Sequence, residues 1–386
     1  MDINILKAEF EKLYGLGNVD VFFSPGRVNL IGEHTDYYGG YVFPCALSFG
    51  TYIVSRLNKS NVVRFASVNF EEKLTIPIDQ LTHKQQNGLW VNYPMGVMKE
   101  FIDKGVAFKG MDILVAGNIP NGAGLSSSAS LELVTAVMCN EYFKTGFTNL
   151  ELAWMGKSAE NNFVGVNCGI LDQFAVAMGQ KDHAMALKCD TMVYEQVPVK
   201  LGDYRIVIAN TNKRRGLADS KYNERVSECK KAVEYISAVK PIKLLGDVDL
   251  NQFESLQSSI KEEVVLRRAR HVISENQRVM NAIPALKSGD LIAFGQLMNQ
   301  SHDSLAADYE VTGVELDTMV TESRKVNGVI GSRMTGAGFG GCTVSLVHKD
   351  AIDTYIKGVA SAYTAQTGLV PDFYVAETGD GARKIM

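Results

Sequence analysis

The sequence is poor in the patterns that mark metal sites, disulfide frameworks and nucleic-acid binding. Six cysteines, Cys45, Cys139, Cys168, Cys189, Cys229 and Cys342, are scattered without a C-x-x-C pair. That argues against a disulfide scaffold or a zinc site and for buried thiols in a reducing compartment. Only six histidines occur, none at H-x-x-x-H spacing, which leaves little for a metal hydrolase. The densest basic pieces are Lys213-Arg214-Arg215 and Arg267-Arg268, and the net charge is -4. No nucleic-acid partner is expected from so little positive charge. No apolar run approaches the roughly 20 residues of a membrane helix, and Met1-Asp2-Ile3-Asn4 does not open a signal peptide. A cytoplasmic protein with no membrane partner is expected. G-x-x-x-x-G-K-[ST] is absent, which disfavours a P-loop kinase.

What remains is ordinary globular composition: 386 residues, 46% hydrophobic and 21% charged, enough for two domains or one large one. Periodicity predicts a helix over 2–14, with Ile5, Leu6, Phe10 and Leu13 on one side. Strand-like runs follow at 41–47, 52–57 and 62–68. Helices are expected at 90–103, 126–143, 150–163, 171–178, 220–236, 263–282 and 350–363. Strands are expected at 111–116, 184–208, 343–347 and 372–376. Without strict β-α-β alternation this reads as an α+β fold. The boundary is placed near residue 200, giving domains 1–200 and 201–386. No Pro- or Gly-rich linker marks it, so the halves should pack tightly around a shared cleft.

Ser24-Pro25-Gly26-Arg27-Val28-Asn29-Leu30-Ile31-Gly32-Glu33-His34-Thr35-Asp36-Tyr37 carries the first chemistry. The apolar run Val21-Phe22-Phe23 is expected to stop at the Pro-Gly turn. An arginine, two carboxylates and a histidine then crowd a short apolar segment. Such crowding wastes solvation unless something polar sits among the groups. A hydroxyl-rich small molecule fits, since carboxylates accept from hydroxyls while His and Arg donate. A charged surface turn is the plainer alternative.

Pro120-Asn121-Gly122-Ala123-Gly124-Leu125-Ser126-Ser127-Ser128-Ala129-Ser130 lies between a strand and a strongly apolar helix. Gly122 and Gly124 let backbone N–H groups approach a ligand, and the helix start adds free donors. The serines supply hydroxyls and a candidate magnesium ligand, as triphosphate chemistry requires. A serine-capped helix after a glycine turn is the plainer alternative. Further on, Glu160 lies on the predicted helix 150–163. Asp172 follows Asn167-Cys168-Gly169-Ile170-Leu171 at the start of another. Gly336, Gly338 and Gly341 in Arg333-Met334-Thr335-Gly336-Ala337-Gly338-Phe339-Gly340-Gly341-Cys342 fit G-x-G-x-x-G. A dinucleotide loop must open a helix, however, and a strand-like run follows here, so that reading is rejected.

Together these three segments resemble the galactokinase branch of the GHMP small-molecule kinases, in the family's order and from Arg27 to Gly341. The resemblance implies a two-domain GHMP kinase fold with the active site in the cleft between domains. The N-terminal domain would carry the sugar-reading segment, the phosphate loop and the catalytic Asp. The C-terminal domain would carry the glycine-rich third motif. The resemblance also implies ATP-dependent, magnesium-dependent phosphorylation of D-galactose at its anomeric hydroxyl. Asp172 is then the catalytic base, with Arg27 stabilising charge on the transferring phosphoryl group. Glu33, His34, Thr35, Asp36, Gly169 and Tyr222 read the sugar. Gly122, Ala123, Gly124, Leu125, Ser126, Ser127 and Ser128, with Ser67 and Trp90, meet the nucleotide. Ser128 and Glu160 ligate the magnesium. A kinase of N-acetylgalactosamine or arabinose shares most of these features. A non-catalytic galactose and ATP sensor is the alternative of another class, against which stand the intact serines, Glu160 and Asp172. The expected partners are small molecules alone, with a monomer or weak oligomer.

Overall fold

The computed structural model describes the chain except residues 86–88, 121–123, 167 and 214–217; of 218–220 only the helical backbone is described. In chain order the strands are β1 (Asp20–Asn29), β2 (Tyr41–Val42), β3 (Pro44–Leu57), β4 (Val62–Ser67), β5 (Leu74–Pro77), β6 (Met111–Gly117), β7 (His183–Lys188), β8 (Val193–Pro198), β9 (Tyr204–Asn210), β10 (Val329–Thr335), β11 (Cys342–His348), β12 (Asp372–Ala376) and β13 (Arg383–Lys384). The helices are α1 (Ile3–Tyr14), α2 (Asn92–Asp103), α3 (Ser127–Phe143), α4 (Asn149–Ser158), α5 (Leu171–Met178), α6 (Ala218–Ser237), α7 (Leu250–Leu256), α8 (Glu263–Ser288), α9 (Leu291–Ser304), α10 (Gly313–Arg324) and α11 (Ile352–Thr367). Helices and mostly antiparallel sheets mix without β-α-β alternation, as the α+β reading expects.

A six-stranded sheet, β13-β1-β3-β6-β4-β5, organises the N-terminal half. Alternate residues face opposite sides, as the period of two requires. Val21, Val54 and Leu114 pack on Leu6 and Phe10 of α1. Phe22, Ile53 and Ile113 face the opposite way and join one core with α2, α3, α4 and α5. The expected stop at Pro25-Gly26 does not occur. β1 runs through both residues, and a register shift against β3 between Pro25 and Arg27 absorbs them. A bulge is where a strand tolerates proline and glycine. The runs at 41–47 and 52–57 are likewise largely one strand, β3, which follows the two-residue β2. It continues past Ser48-Phe49 because Gly50 has no Cβ, which would overlap Ser24 O.

The second sheet, β10-β11-β9-β12, is antiparallel throughout. Val207, Ala209 and Val347 pack against Met319 of α10 and Tyr355, Val359 and Tyr363 of α11. Ile206, Ile208, Val344 and Leu346 face the other way, into a core with Val28, Leu30, Phe43 and Leu47. That core joins the start of the chain to the second sheet, so the halves are welded by apolar packing. The chain end also returns to the first sheet: Ser48 N donates to Glu377 O (2.8 Å), and Arg383–Lys384 pair with β1. A helical layer of α6, α7 and α8 closes a third core around Tyr38, Cys229, Phe253 and Tyr309. Among the described residues no helix is long and apolar enough to cross a membrane.

Candidate active site

Arg27 sits where β1 passes the glycine-serine loop, buried except for a sliver. Its Nε and Nη2 both donate to Asp172 Oδ1, at 2.9 and 2.6 Å, and its Nη1 donates to Gly124 O at 2.6 Å. The Arg27 N–H also donates to Leu125 O (3.1 Å). The bulged strand can come this close because Gly26 has no Cβ, which would lie 2.9 Å from Leu125 O. Asp172 is in the first turn of α5, at the positive end of the helix. With both arginine donors on Oδ1, its other oxygen is left for a ligand.

The segment from Gly32 to Asp36 leaves β1 as a buried loop. Glu33 Oε1 accepts from Thr335 Oγ1 (3.1 Å) and Gly336 N (2.8 Å), with Arg333 Nη1 at 3.4 Å. His34 holds a left-handed backbone, φ +62°, uncommon for a residue with a side chain. Its Nε2 donates to Ala337 O (3.1 Å), and its Nδ1 lies 2.8 Å from Tyr37 Oη. A carbonyl only accepts, so Nε2 carries the proton and Nδ1 accepts from the tyrosine. Burial, aided by His271 and nearby arginines, pushes the His34 pKa down to about 3, so the ring is neutral at physiological pH. Thr35 Oγ1 bonds Tyr41 O (2.7 Å) and Gly32 O (3.2 Å), closing the loop on itself. Asp36 approaches Gly169 so closely that a Cβ there would overlap Asp36 Oδ2. Burial, then the Asp172 and Glu33 charges, push the Asp36 pKa up to about 6. Tyr222 reaches the same place from α6; burial, with Asp36 and Asp172 nearby, raises its pKa. Its ring lies 5.9 Å from His34 and 5.4 Å from Tyr37. Arg27, Glu33, His34, Asp36, Gly169, Asp172 and Tyr222 are thus one neighbourhood.

Gly122 and Ala123 lie outside the described residues. Gly124 holds φ +72° and Ser126 φ +61°, a second strained non-glycine residue at this site. Ser126 ends the loop as N-cap of α3, and its buried Oγ has no hydrogen-bond partner among the described residues. Leu125 is buried, whereas Ser127 is exposed and Ser128 half-buried. Ser128 neighbours Glu160 and acts to lower its pKa, and Glu160 Oε2 accepts from Gln173 Nε2 (2.7 Å). Glu160 is not on regular helix: α4 ends at Ser158, and a π-helical turn, Ala159–Val164, carries it. Such turns recur at functional sites because they re-aim a side chain. Burial first, then the Asp172 charge, raise the Glu160 pKa. Beside the loop, Ser67, Phe70, Trp90, Tyr93, Ser127 and Ser128 line a cavity of about 170 Å³. Trp90 stacks on Phe70, ring centroids 6.3 Å apart, and its buried Nε1 has no partner among the described residues. Among the described residues no group of three or more His, Cys, Asp and Glu could by itself hold a metal.

Three family models match. The galactokinase galactose-binding signature covers residues 8–57, the GHMP kinases N terminal domain covers 92–180, and the GHMP kinases C terminal domain covers 282–365. The galactokinase of Clostridium tetani is 53% identical over 386 residues, covering 100% of this chain and 98% of that protein. The chain belongs to the galactokinase family. The galactokinase of Fusobacterium nucleatum is 51% identical, over 99% of both chains. The crystal structure of Lactococcus lactis galactokinase complexed with galactose superposes with a TM-score of 0.95 at 43% identity, covering 99% of this chain and 100% of that one. Methanococcus jannaschii mevalonate kinase (TM-score 0.67, 18% identity, 95% and 100% covered) shares the fold. The two-domain GHMP kinase fold is therefore that of this galactokinase-family chain, and ATP is its co-substrate class.

Several side chains at this galactokinase-family site escape a reading of the sequence. Phe70 and Tyr93 line the cavity beside the loop, although nothing in their local pattern separates them from core aromatics. Glu132 is fully buried on α3, and its Oε2 shares the Gln173 amide (3.0 Å) with Glu160. The available signal was position: Glu132 is one turn after Ser128 and shares its helix face.

Proposed function

We propose that this cleft transfers the terminal phosphoryl group of ATP to the anomeric hydroxyl of D-galactose. The observation that carries the reading is the Arg27–Asp172 pair, fixed to the glycine-serine loop through Gly124 O and facing Asp36 and Gly169 on the other side. A base and a cation thereby stand between phosphate and sugar. Asp172 orients the anomeric hydroxyl and accepts its proton as the bond to phosphorus forms. In a loose transition state that transfer comes late, so a weak base suffices. Arg27 stabilises the charge on the equatorial oxygens. Asp36, Glu33 and Tyr222 supply acceptors and donors for the sugar hydroxyls, the Gly169 backbone closes against them, and His34, with both ring nitrogens bonded to Ala337 O and Tyr37, shapes the wall beside them. Thr35 holds their loop.

The residues also fit a magnesium ion. Ser128 and Glu160 are neighbouring hard oxygen ligands, and the crowding of Glu160 against Asp172 is relieved by a cation. Bound there with the nucleotide, magnesium would neutralise the β- and γ-phosphate oxygens. The cavity flanked by Ser67 and Trp90 suits the adenine ring, with Phe70 and Trp90 as its aromatic wall and Gly124 to Ser127 leading to the phosphates. Six cysteines scattered along the chain without a C-x-x-C pair support a cytoplasmic setting.

A coupled ADP-release assay tests this reading with galactose, glucose, N-acetylgalactosamine and arabinose, each with and without magnesium. Galactose with magnesium should give the highest kcat/KM, and Glu160→Ala should raise the magnesium concentration needed for half-maximal rate. Preference for another sugar would move the chain to a sister specificity. Binding of galactose and ATP without ADP release would make it a sensor. The adenine assignment has its own check. With Trp154→Phe, Trp90 is the sole tryptophan, so its emission should change when ATP is added and stay constant with galactose alone.

A further inference from the structure

Among the described residues, every hydrogen-bond partner of Glu33 comes from the C-terminal half of the chain. Its side-chain oxygen is held by Arg333, Thr335 and Gly336, as described above. Its main chain is held by one face of α8. His271 Nε2 donates to Glu33 O (3.1 Å), and Glu275 Oε1, one turn later, accepts from Glu33 N (3.3 Å) and Gly32 N (2.8 Å). The same Glu275 oxygen accepts from Ser301 Oγ (2.6 Å), while its partner oxygen takes Arg278 Nε (2.6 Å). The next residue, Asn276, accepts from Tyr41 N (2.9 Å) and so holds the far end of the sugar-reading loop. Gly32 permits the contact: it sits at φ +91°, and a Cβ would lie 2.8 Å from Val279 Cγ2 and 2.6 Å from Tyr41 O.

His271 and Glu275 are both wholly buried and do not face the cleft. The geometry points to a role behind it: we propose that His271 and Glu275 are positioning residues that set Glu33 against the sugar, so that galactose discrimination is tuned by α8. The charge states suit fixed roles. Burial lowers the His271 pKa to about 4, leaving a neutral ring with its proton on Nε2 toward the carbonyl. Burial alone would raise Glu275, but Arg278 and Arg333 outweigh it and hold the carboxylate at about 2. Neither group titrates near neutrality, so the clamp is constant over the working pH range. A carboxylate that reads hydroxyls through directed bonds loses discrimination if it tilts, even when the fold survives.

The inference rests on the galactose-kinase reading, and the test separates the two. Kinetics with galactose, ATP and the four monodeoxygalactoses lacking the 2-, 3-, 4- or 6-hydroxyl are compared in wild type, His271→Ala, His271→Gln and Glu275→Gln. In His271→Ala and Glu275→Gln the galactose KM should rise about tenfold or more while the ATP KM stays nearly constant. The penalty for the deoxy sugar that lacks the Glu33 partner hydroxyl should shrink, because a displaced Glu33 has less to lose. His271→Gln keeps an amide donor and should recover part of that penalty. A fall in kcat with unchanged KM values and an unchanged deoxy penalty would mean a purely structural role and overturn the proposal. If Glu275→Gln does not fold, the His271 pair decides alone. Wild type inactive on galactose would sink the functional reading itself, whereas active wild type with unaltered discrimination in the variants sinks only this inference.

Discussion

Asp172→Asn lowers kcat by about 10³ or more while galactose binding measured by titration calorimetry stays nearly unchanged. The asymmetry of the Arg27 contact makes this specific. Both guanidinium donors fall on Oδ1, at 2.9 and 2.6 Å. The asparagine oxygen therefore stays toward Arg27, since an amide N–H facing two arginine donors would be repelled. The NH2 group then replaces Oδ2 and presents a donor where a proton must be received. The sugar hydroxyl can still bond that group, as an acceptor, so affinity survives and chemistry does not. A thousandfold loss corresponds to about 4 kcal/mol of transition-state stabilisation. That is within what a positioned base supplies, with the remainder carried by Arg27 and the phosphate loop. Single-turnover kinetics with saturating ATP give the decisive number. A variant rate within tenfold of wild type would remove Asp172 from the proton path and leave positioning alone to explain catalysis.

Local pattern carries the elements that bury one apolar face and fails where burial is polar. The runs that became α3, α5 and β6 stand out because most of their buried residues are hydrophobic. β10 does not: Gly331, Ser332, Arg333 and Thr335 interrupt it, yet Ser332, Arg333 and Thr335 are fully buried. Such a strand exists because Ser301, Glu33 and Ser345 on other segments, Glu33 some 300 residues away, satisfy its polar side chains, and the spacing within the strand encodes none of them. α9 and α10 were missed for a related reason. Arg324 and Asp303 pair across them, and α9 packs on β10, so their faces alternate less cleanly. The candidate site divides the same way. Arg27, Glu33, Asp36 and Asp172 are visible as charged residues where charge is otherwise scarce. Glu132, Gln173, His271 and Glu275 look like ordinary helix-face residues until the fold buries them. Pro25-Gly26 misled because a turn and a strand bulge share the same residues; only the partner strand, with Gly50 opposite Pro25, distinguishes them.

Asp36→Asn separates stability from function in opposite directions. In the native state burial, together with the Asp172 and Glu33 charges, raises the Asp36 pKa from 3.8 to about 6. A raised carboxyl pKa favours the protonated form in the folded chain. Its contribution to stability is full below about pH 4, falls away as pH rises through about 6, and leaves a net penalty at neutrality relative to a neutral side chain. Asparagine is neutral at every pH, so the variant should melt higher than wild type at pH 8, and the gap should close as pH falls from 6 to 4. The same substitution places an NH2 or a neutral oxygen where an anion accepts from a sugar hydroxyl, and galactose kcat/KM should fall by about 10² or more. Ligand linkage gives a further sign. Galactose and magnesium ATP bring hydroxyl donors and a cation to this crowd of carboxylates, so they should stabilise wild type against heat more than they stabilise the variant. Thermal melts at pH 4, 6 and 8, with and without both ligands, read all three effects. A variant less stable than wild type at pH 8 would show that the Asp36 carboxylate is held by favourable contacts, and that the electrostatic crowding at the sugar site is not a source of strain.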